Sequence, residues 1–171
     1  DDLKTTVPVN GVVNYPDHIA PIWTRARGVN GAQTCINCHT DPAKLDLRAT
    51  VSGSGRLTSY EELMQGDPVF DANGRPVIEL REGVPVIVRG PSLVETSSGA
   101  ANTAGQARKS RPTEILWGQT LLAGAGARTA HPNPPATAPD HSQLLNKAEK
   151  RLIAEWMDLG GQYYNDPFGP G

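Results

Sequence analysis

Both cysteines of the chain lie in one short motif, Cys35-Ile36-Asn37-Cys38-His39. Two thiols separated by two residues and followed directly by a histidine form the pattern for covalent attachment of a c-type haem. The chemistry needs this spacing, because the two thiols add to the two vinyl groups of one porphyrin and the adjacent imidazole reaches the iron. We therefore predict haem thioethers at Cys35 and Cys38 and a proximal iron ligand at His39.

Two other uses of a Cys-x-x-Cys pair are disfavoured by the sequence. A thioredoxin-like dithiol lies between the strand and the helix of a βαβ unit, and no such unit is predicted around residue 35. A structural zinc site needs about four ligands, and the sequence has no second cysteine or histidine pair at a suitable spacing. One covalent haem c is thus the predicted cofactor.

An electron-transfer haem usually has a second axial ligand, and the sequence offers several candidates for it. His141 is the preferred candidate, and Met64 and His131 are the alternatives. Met157 lies inside a predicted helix, where core packing is the expected role of a methionine. His18 lies before the motif, where we expect a capping or surface role. An open sixth position is the remaining alternative.

Two predicted helices flank the attachment motif and would position it. In the first, Asp17 is a suitable cap, Pro21 lies in the first turn and Gly28 is a suitable end. The second begins at Asn146 with a capping-box pattern and ends at Gly160. The residues on its predicted buried face are Leu145, Leu152, Ile153, Trp156 and Leu159. The residues on its predicted solvent-exposed face are Lys147, Lys150, Arg151 and Glu155. We expect Trp156 to pack against the first helix.

The middle of the chain predicts short elements and long loops. Short helices are expected around 60–64 and 113–122. Residues 67–88 predict a β-hairpin, with a turn at 71–74 and a further strand at 84–88 that Pro85 restricts to an edge. The polar stretch 96–110 and the proline-rich stretch 129–139 predict loops.

The composition and net charge of the chain indicate which kinds of ligand and partner to expect. The 171 residues include 37% hydrophobic residues, 18 Gly and 15 Pro, so a large bound apolar group would supply core that the chain lacks. A formal net charge of −2 predicts neither nucleic acid nor an anionic membrane surface as a partner. No apolar run is long enough to span a bilayer, and residues 1–4 do not resemble a signal peptide, so we expect a processed or excised start.

Two parts of the chain resemble the cytochrome c domains of large secreted multidomain proteins, often planctomycete or proteobacterial. The first part is 17–23 leading to the motif at 35–39. The second is 140–164, which is similar to that family's closing pattern Glu-x-x-x-Ile-x-x-Trp-Ile-Asp-Leu-Gly-Ala. Together they cover about a third of the chain. The resemblance implies a mono-haem electron-transfer module or a subunit of something larger, and it also supports His141 as the distal ligand.

These observations predict a mainly α, cytochrome c-like helical fold around one haem, as a single domain over 1–171. It would contain an N-terminal helix and attachment segment (14–50), a hairpin insertion (67–88) and a C-terminal helix segment (140–164). The expected function is single-electron transfer with an unidentified redox partner protein, in the periplasm or outside the cell. The alternative is a haem enzyme or a gas or peroxide sensor with an open sixth position.

Overall fold

Short helices and short strands alternate along the part of the chain that the structure describes. The structure is a computed structural model, and it describes residues 13–41, 44–66, 68–90, 92–95, 106–119 and 138–164. The helices are α1 (Ala20–Thr24), α2 (Thr58–Gln65), α3 (Arg111–Trp117) and α4 (Lys147–Asp158). The strands are β1 (Thr40–Asp41), β2 (Leu45–Asp46), β3 (Ile78–Arg81) and β4 (Val84–Ile87). A π-helical turn, Tyr15–Ile19, leads directly into α1.

The predicted mainly α, cytochrome c-like fold class is wrong. Among the described residues about 41% are helical and 17% are in strands, so the fold is mixed. The helices are shorter than the apolar patterns predicted, and the strands belong to two separate antiparallel pairs, β1 with β2 and β3 with β4. The chain therefore has a mixed α and β architecture.

The first predicted helix shows why the helical content was overestimated. Asn14, rather than Asp17, is the N-cap of the π-helical turn, because its side chain accepts a hydrogen bond from the Asp17 amide. The helix ends at Thr24 instead of continuing to Gly28. Arg27 forms an antiparallel bridge with Gln33, so the intervening residues belong to a closed loop. Similarly, α3 ends at Trp117, because the next residue, Gly118, adopts a left-handed conformation with φ of +64°.

A cluster of aromatic rings forms the centre of the core. The Tyr15 ring centre lies 5.2 Å from that of Trp156 and 5.1 Å from that of Tyr60, and the Trp23 indole donates a hydrogen bond to the Tyr15 hydroxyl. Tyr163 closes the cluster, since its carbonyl accepts from the Tyr15 amide at 3.0 Å. The prediction that Trp156 packs against the first helical segment is confirmed.

Helix α4 begins as its sequence predicts. The Asn146 side chain accepts from the Glu149 amide, and the Glu149 carboxylate accepts from the Asn146 amide, which completes a capping box. Two predictions for its faces are wrong. Leu159 is exposed because it lies beyond the last helical turn, and Lys150 is half-buried because its side chain folds back over neighbouring segments.

The segment 68–90 forms a ribbon whose apolar side chains face outward. Strands β3 and β4 are joined at Glu82 and Gly83, and an additional tight turn joins Phe70 to Pro76. Several of its large apolar side chains are exposed: Val69, Phe70, Ile78, Leu80, Val84 and Ile87. The ribbon therefore adds little to the core that positions the candidate site. None of the helices among the described residues is long and apolar enough to cross a membrane.

Candidate functional site

Two histidines that are far apart in sequence lie close together in the structure. The ring centres of His39 and His141 are 6.0 Å apart, and their planes are inclined at 50°. His39 belongs to the attachment motif, and His141 is the candidate distal ligand. The structure thus brings together one histidine from each of the two segments in which sequence analysis placed an axial ligand.

The separation of the rings fits a metal ion held between two imidazoles. Such a metal lies about 2 Å from each coordinating nitrogen, and each nitrogen lies about 1 Å from its ring centre, so the two centres are about 6 Å apart. Partial burial, followed by repulsion from His141, lowers the pKa of His39 and favours its neutral form. Neutral imidazole is the form that binds metals. The separation of the two ring centres therefore matches the spacing that two axial histidines of one iron would need.

The motif is held by a regular backbone structure. Cys35–Asn37 forms a 3₁₀ turn, and the His39 amide donates to the Cys35 carbonyl at 3.0 Å. On its other side, the His39 carbonyl accepts from the Leu47 amide at 3.0 Å, which ties it to the residue that follows β2. The Asn37 side chain donates to the Ala32 carbonyl and fixes the preceding loop.

The two thiols differ in accessibility. Cys38 is exposed, Cys35 is partly buried, and both are free thiols. Burial raises the pKa of the Cys35 thiol, although the neighbouring Arg27 partly opposes that rise. A reactive redox dithiol requires a lowered thiol pKa, and its motif follows a strand, whereas Cys35 follows a bridged loop. These features disfavour the thioredoxin-like alternative.

His141 lies on a short turn packed against α3. His141–Gln143 forms a 3₁₀ turn, and the Asp140 side chain caps it by accepting from the Ser142 amide. Gly118 packs so closely against this turn that a Cβ at residue 118 would lie 2.9 Å from the Ser142 Cβ. On the other side, the Lys150 ammonium donates to the Ser142 carbonyl at 2.6 Å.

A buried ion pair joins the attachment segment to α4. Glu149 accepts from Arg25 at 2.9 Å and from Arg27 at 2.8 Å, and the Glu149 side chain is only 5% exposed. Arg27 also donates to the Ile22 carbonyl at the end of the first helical segment. Sequence analysis assigned Glu149 only to the capping box. It missed the ion pairs because more than 120 residues separate the partners, and only an arginine pair before the motif could have suggested them.

The other candidate ligands lie elsewhere. The Met64 side chain packs on Gly161, where a Cβ would lie 2.9 Å from the Met64 sulfur. Met157 is fully buried in the core. The His18 Nδ1 accepts a hydrogen bond from the Asn14 amide, which is a local capping contact. His131 lies outside the described residues.

Within the described ranges, no group of three or more His, Cys, Asp or Glu side chains is arranged to hold a metal ion. A haem requires only two axial side chains from the protein, because the porphyrin supplies the other four ligands. The chain was also compared with protein-family models, with curated proteins and with solved structures. None of these comparisons gave a match.

Proposed function

We propose that the chain carries one covalently bound haem c and transfers single electrons through it. The observation that carries this proposal is the 6.0 Å separation of the His39 and His141 rings. This separation supports His141 as a second axial ligand opposite His39, whose motif is specific for haem attachment.

Each residue of the site would have a separate role. Cys35 and Cys38 would form the two thioether bonds that prevent the haem from dissociating. His39 and His141 would provide one nitrogen ligand each. When bound, the haem would supply an iron that alternates between the ferric and ferrous states. The chain would keep both ligands in place during this change, because each histidine lies on a segment with backbone or side-chain anchors on both sides.

Two axial histidines favour electron transfer over ligand-binding chemistry. An enzyme or sensor needs an open or easily vacated position on the iron, whereas an electron carrier keeps all six positions filled. Two imidazole ligands also predict a lower reduction potential than a histidine and methionine pair. The proposed protein is therefore a low-spin, six-coordinate electron carrier.

The test is to produce the full chain in a bacterium that matures c-type cytochromes and to measure its mass and visible spectrum. We expect a mass increase of one haem, a low-spin ferric spectrum and a reversible one-electron wave in voltammetry. His141→Ala should convert the ferric haem to a high-spin form that binds cyanide. His18→Ala is the matched control, because His18 makes only a local contact with Asn14, and it should leave the low-spin spectrum unchanged.

Three results would contradict the proposal in whole or in part. A colourless product with the mass of the bare polypeptide would exclude covalent haem. A wild-type protein that contains haem but is high-spin and binds carbon monoxide would instead support an enzyme or a sensor. A low-spin spectrum that survives His141→Ala would exclude His141 as the ligand.

A further inference from the structure

Lys150 differs from the other basic residues at the start of α4. Lys147 and Arg151 are exposed, whereas Lys150 is half-buried between α4, the end of α3 and the turn His141–Gln143. Its ammonium donates to the Ser142 carbonyl at 2.6 Å and lies 5.6 Å from the centre of the Trp117 ring. Such a charged donor makes a stronger hydrogen bond than a neutral one.

This contact acts on the residue next to the candidate distal ligand. The turn is only three residues long, so the position of the Ser142 carbonyl also determines where the His141 backbone lies. On the N-terminal side of His141, the Asp140 carboxylate accepts a hydrogen bond from the Ser142 amide at 2.9 Å. Lys150 of α4 therefore holds the turn on the C-terminal side of His141, through the Ser142 carbonyl. The close approach of Gly118 limits movement of the turn from the side of α3.

The two candidate ligands need this support to different degrees. Once the haem is attached, His39 would be kept near the iron by two covalent bonds at Cys35 and Cys38. His141 has no covalent tether of this kind. The retention of His141 on the iron would therefore depend on noncovalent contacts of its turn, which include the charged hydrogen bonds of Lys150 and Asp140.

We propose that Lys150 is a positioning residue that keeps His141 bound and sets the rate at which an external ligand replaces it. This inference rests on the proposed function, since it requires an iron between the two histidines. Lys150 itself does not contact the iron in this account. It acts through the Ser142 carbonyl and the adjacent turn.

The experiment measures cyanide binding to the ferric full-length protein by stopped-flow absorbance. Lys150→Met removes the ammonium but keeps an unbranched stem over Trp117, and we expect it to increase the cyanide binding rate about tenfold, the usual effect of losing one charge-assisted hydrogen bond. Lys147→Met is the matched control on the exposed face of α4 and should leave the rate unchanged. Lys150→Arg retains a charged donor and should restore most of the wild-type rate.

A second comparison distinguishes positioning from a general loss of stability. In the His141→Ala background, Lys150→Met should have no effect on the cyanide rate, because the ligand on which Lys150 acts is absent. An equal acceleration in both backgrounds would overturn the inference. So would equal rates for Lys150→Met and Lys147→Met in a low-spin protein, a result that leaves the proposed function intact. A wild-type protein without haem or without a low-spin spectrum would overturn the proposed function and this inference together.

Discussion

The two segments that carry the facing histidines are held by different kinds of contact. His39 lies between a 3₁₀ turn and the β1–β2 pair, with backbone hydrogen bonds on both sides and a buried ion pair behind the loop. His141 lies on a short turn packed against α3, which is held by Lys150, by the Asp140 cap and by close packing against Gly118. The His39 segment is thus anchored mainly by backbone hydrogen bonds, whereas the His141 turn is anchored mainly by side-chain contacts.

The largest effect is expected from breaking the support of the His39 segment. Glu149→Ala leaves the guanidinium of Arg27, which is 12% exposed, without its carboxylate and removes half of the capping box. We expect a loss of about 3 kcal/mol in the free energy of unfolding, the usual cost of removing one partner of a buried ion pair. Urea denaturation followed by circular dichroism measures it.

Glu155→Ala is the control for this variant, because Glu155 lies on the exposed face of the same helix. It should change the free energy of unfolding by less than about 0.5 kcal/mol. Equal losses for the two variants would show that the ion pairs of Glu149 do not stabilise the attachment segment.

An intermediate effect is expected from breaking the packing of the His141 turn. Gly118→Ala introduces a Cβ at a positive φ and 2.9 Å from the Ser142 Cβ, so both backbone strain and steric overlap oppose it. We expect a loss of about 2 kcal/mol in unfolding free energy. Gly55→Ala is the control, since Gly55 has φ of +81° and no neighbouring atom within 4 Å.

Gly55→Ala should cost only about 1 kcal/mol, which is the strain of the backbone conformation without the overlap. In the haem-bound protein, Gly118→Ala should also lower the low-spin fraction, and Gly55→Ala should not. If both variants lose the same stability and keep the same spectrum, the close approach of Gly118 does not position His141.

The smallest effect is expected from removing the carboxylate of Asp46 in β2, and this effect on stability depends on pH. Hydrogen bonds from Arg48 hold the pKa of the Asp46 carboxyl below its usual value of 3.8. The ionised carboxylate therefore stabilises the fold above the unfolded-state pKa, and this contribution is lost as the pH falls through the lower folded-state pKa. Asp46→Asn lacks the contribution at every pH.

The difference in unfolding free energy between wild type and Asp46→Asn should therefore be constant near neutral pH and should shrink below about pH 4. Urea denaturation at a series of pH values measures it. Arg48→Lys is a useful comparison, because it keeps the charge but loses the two-pronged contact. If the difference in unfolding free energy between wild type and Asp46→Asn did not change with pH, the Asp46–Arg48 pair would stabilise the fold through packing and not through its charge.

Local patterns predicted the elements that depend on neighbouring residues. The capping box at Asn146 and Glu149 and the buried Trp156 belong to this class, since helical periodicity and cap chemistry act within a few residues. A ribbon was predicted over 67–88, and the structure pairs β3 with β4 in that segment. The motif at 35–39 was chosen from its spacing alone.

The fold class could not be predicted from the same patterns. Apolar residues around the first helix continued the helical period past Thr24, but the pairing of Arg27 with Gln33 closed a loop there. The contacts that bring His39 close to His141 join distant parts of the chain. Glu149 with Arg27 is one example, and Lys150 with the Ser142 carbonyl is another. Such long-range contacts leave no repeating pattern in the sequence around either partner, so sequence patterns do not predict them.

The hydrogen bond between the Tyr15 amide and the Tyr163 carbonyl has a consequence for protein engineering. It brings the first and last parts of the described chain to within 3.0 Å of each other. A circularly permuted chain could therefore be limited to residues 13–164, with a short linker from 164 to 13 and new ends in the exposed turn at Asn73, which lies outside both histidine segments. The same proximity would allow the unit to be grafted into a surface loop of a host protein without forcing apart the ends of that loop.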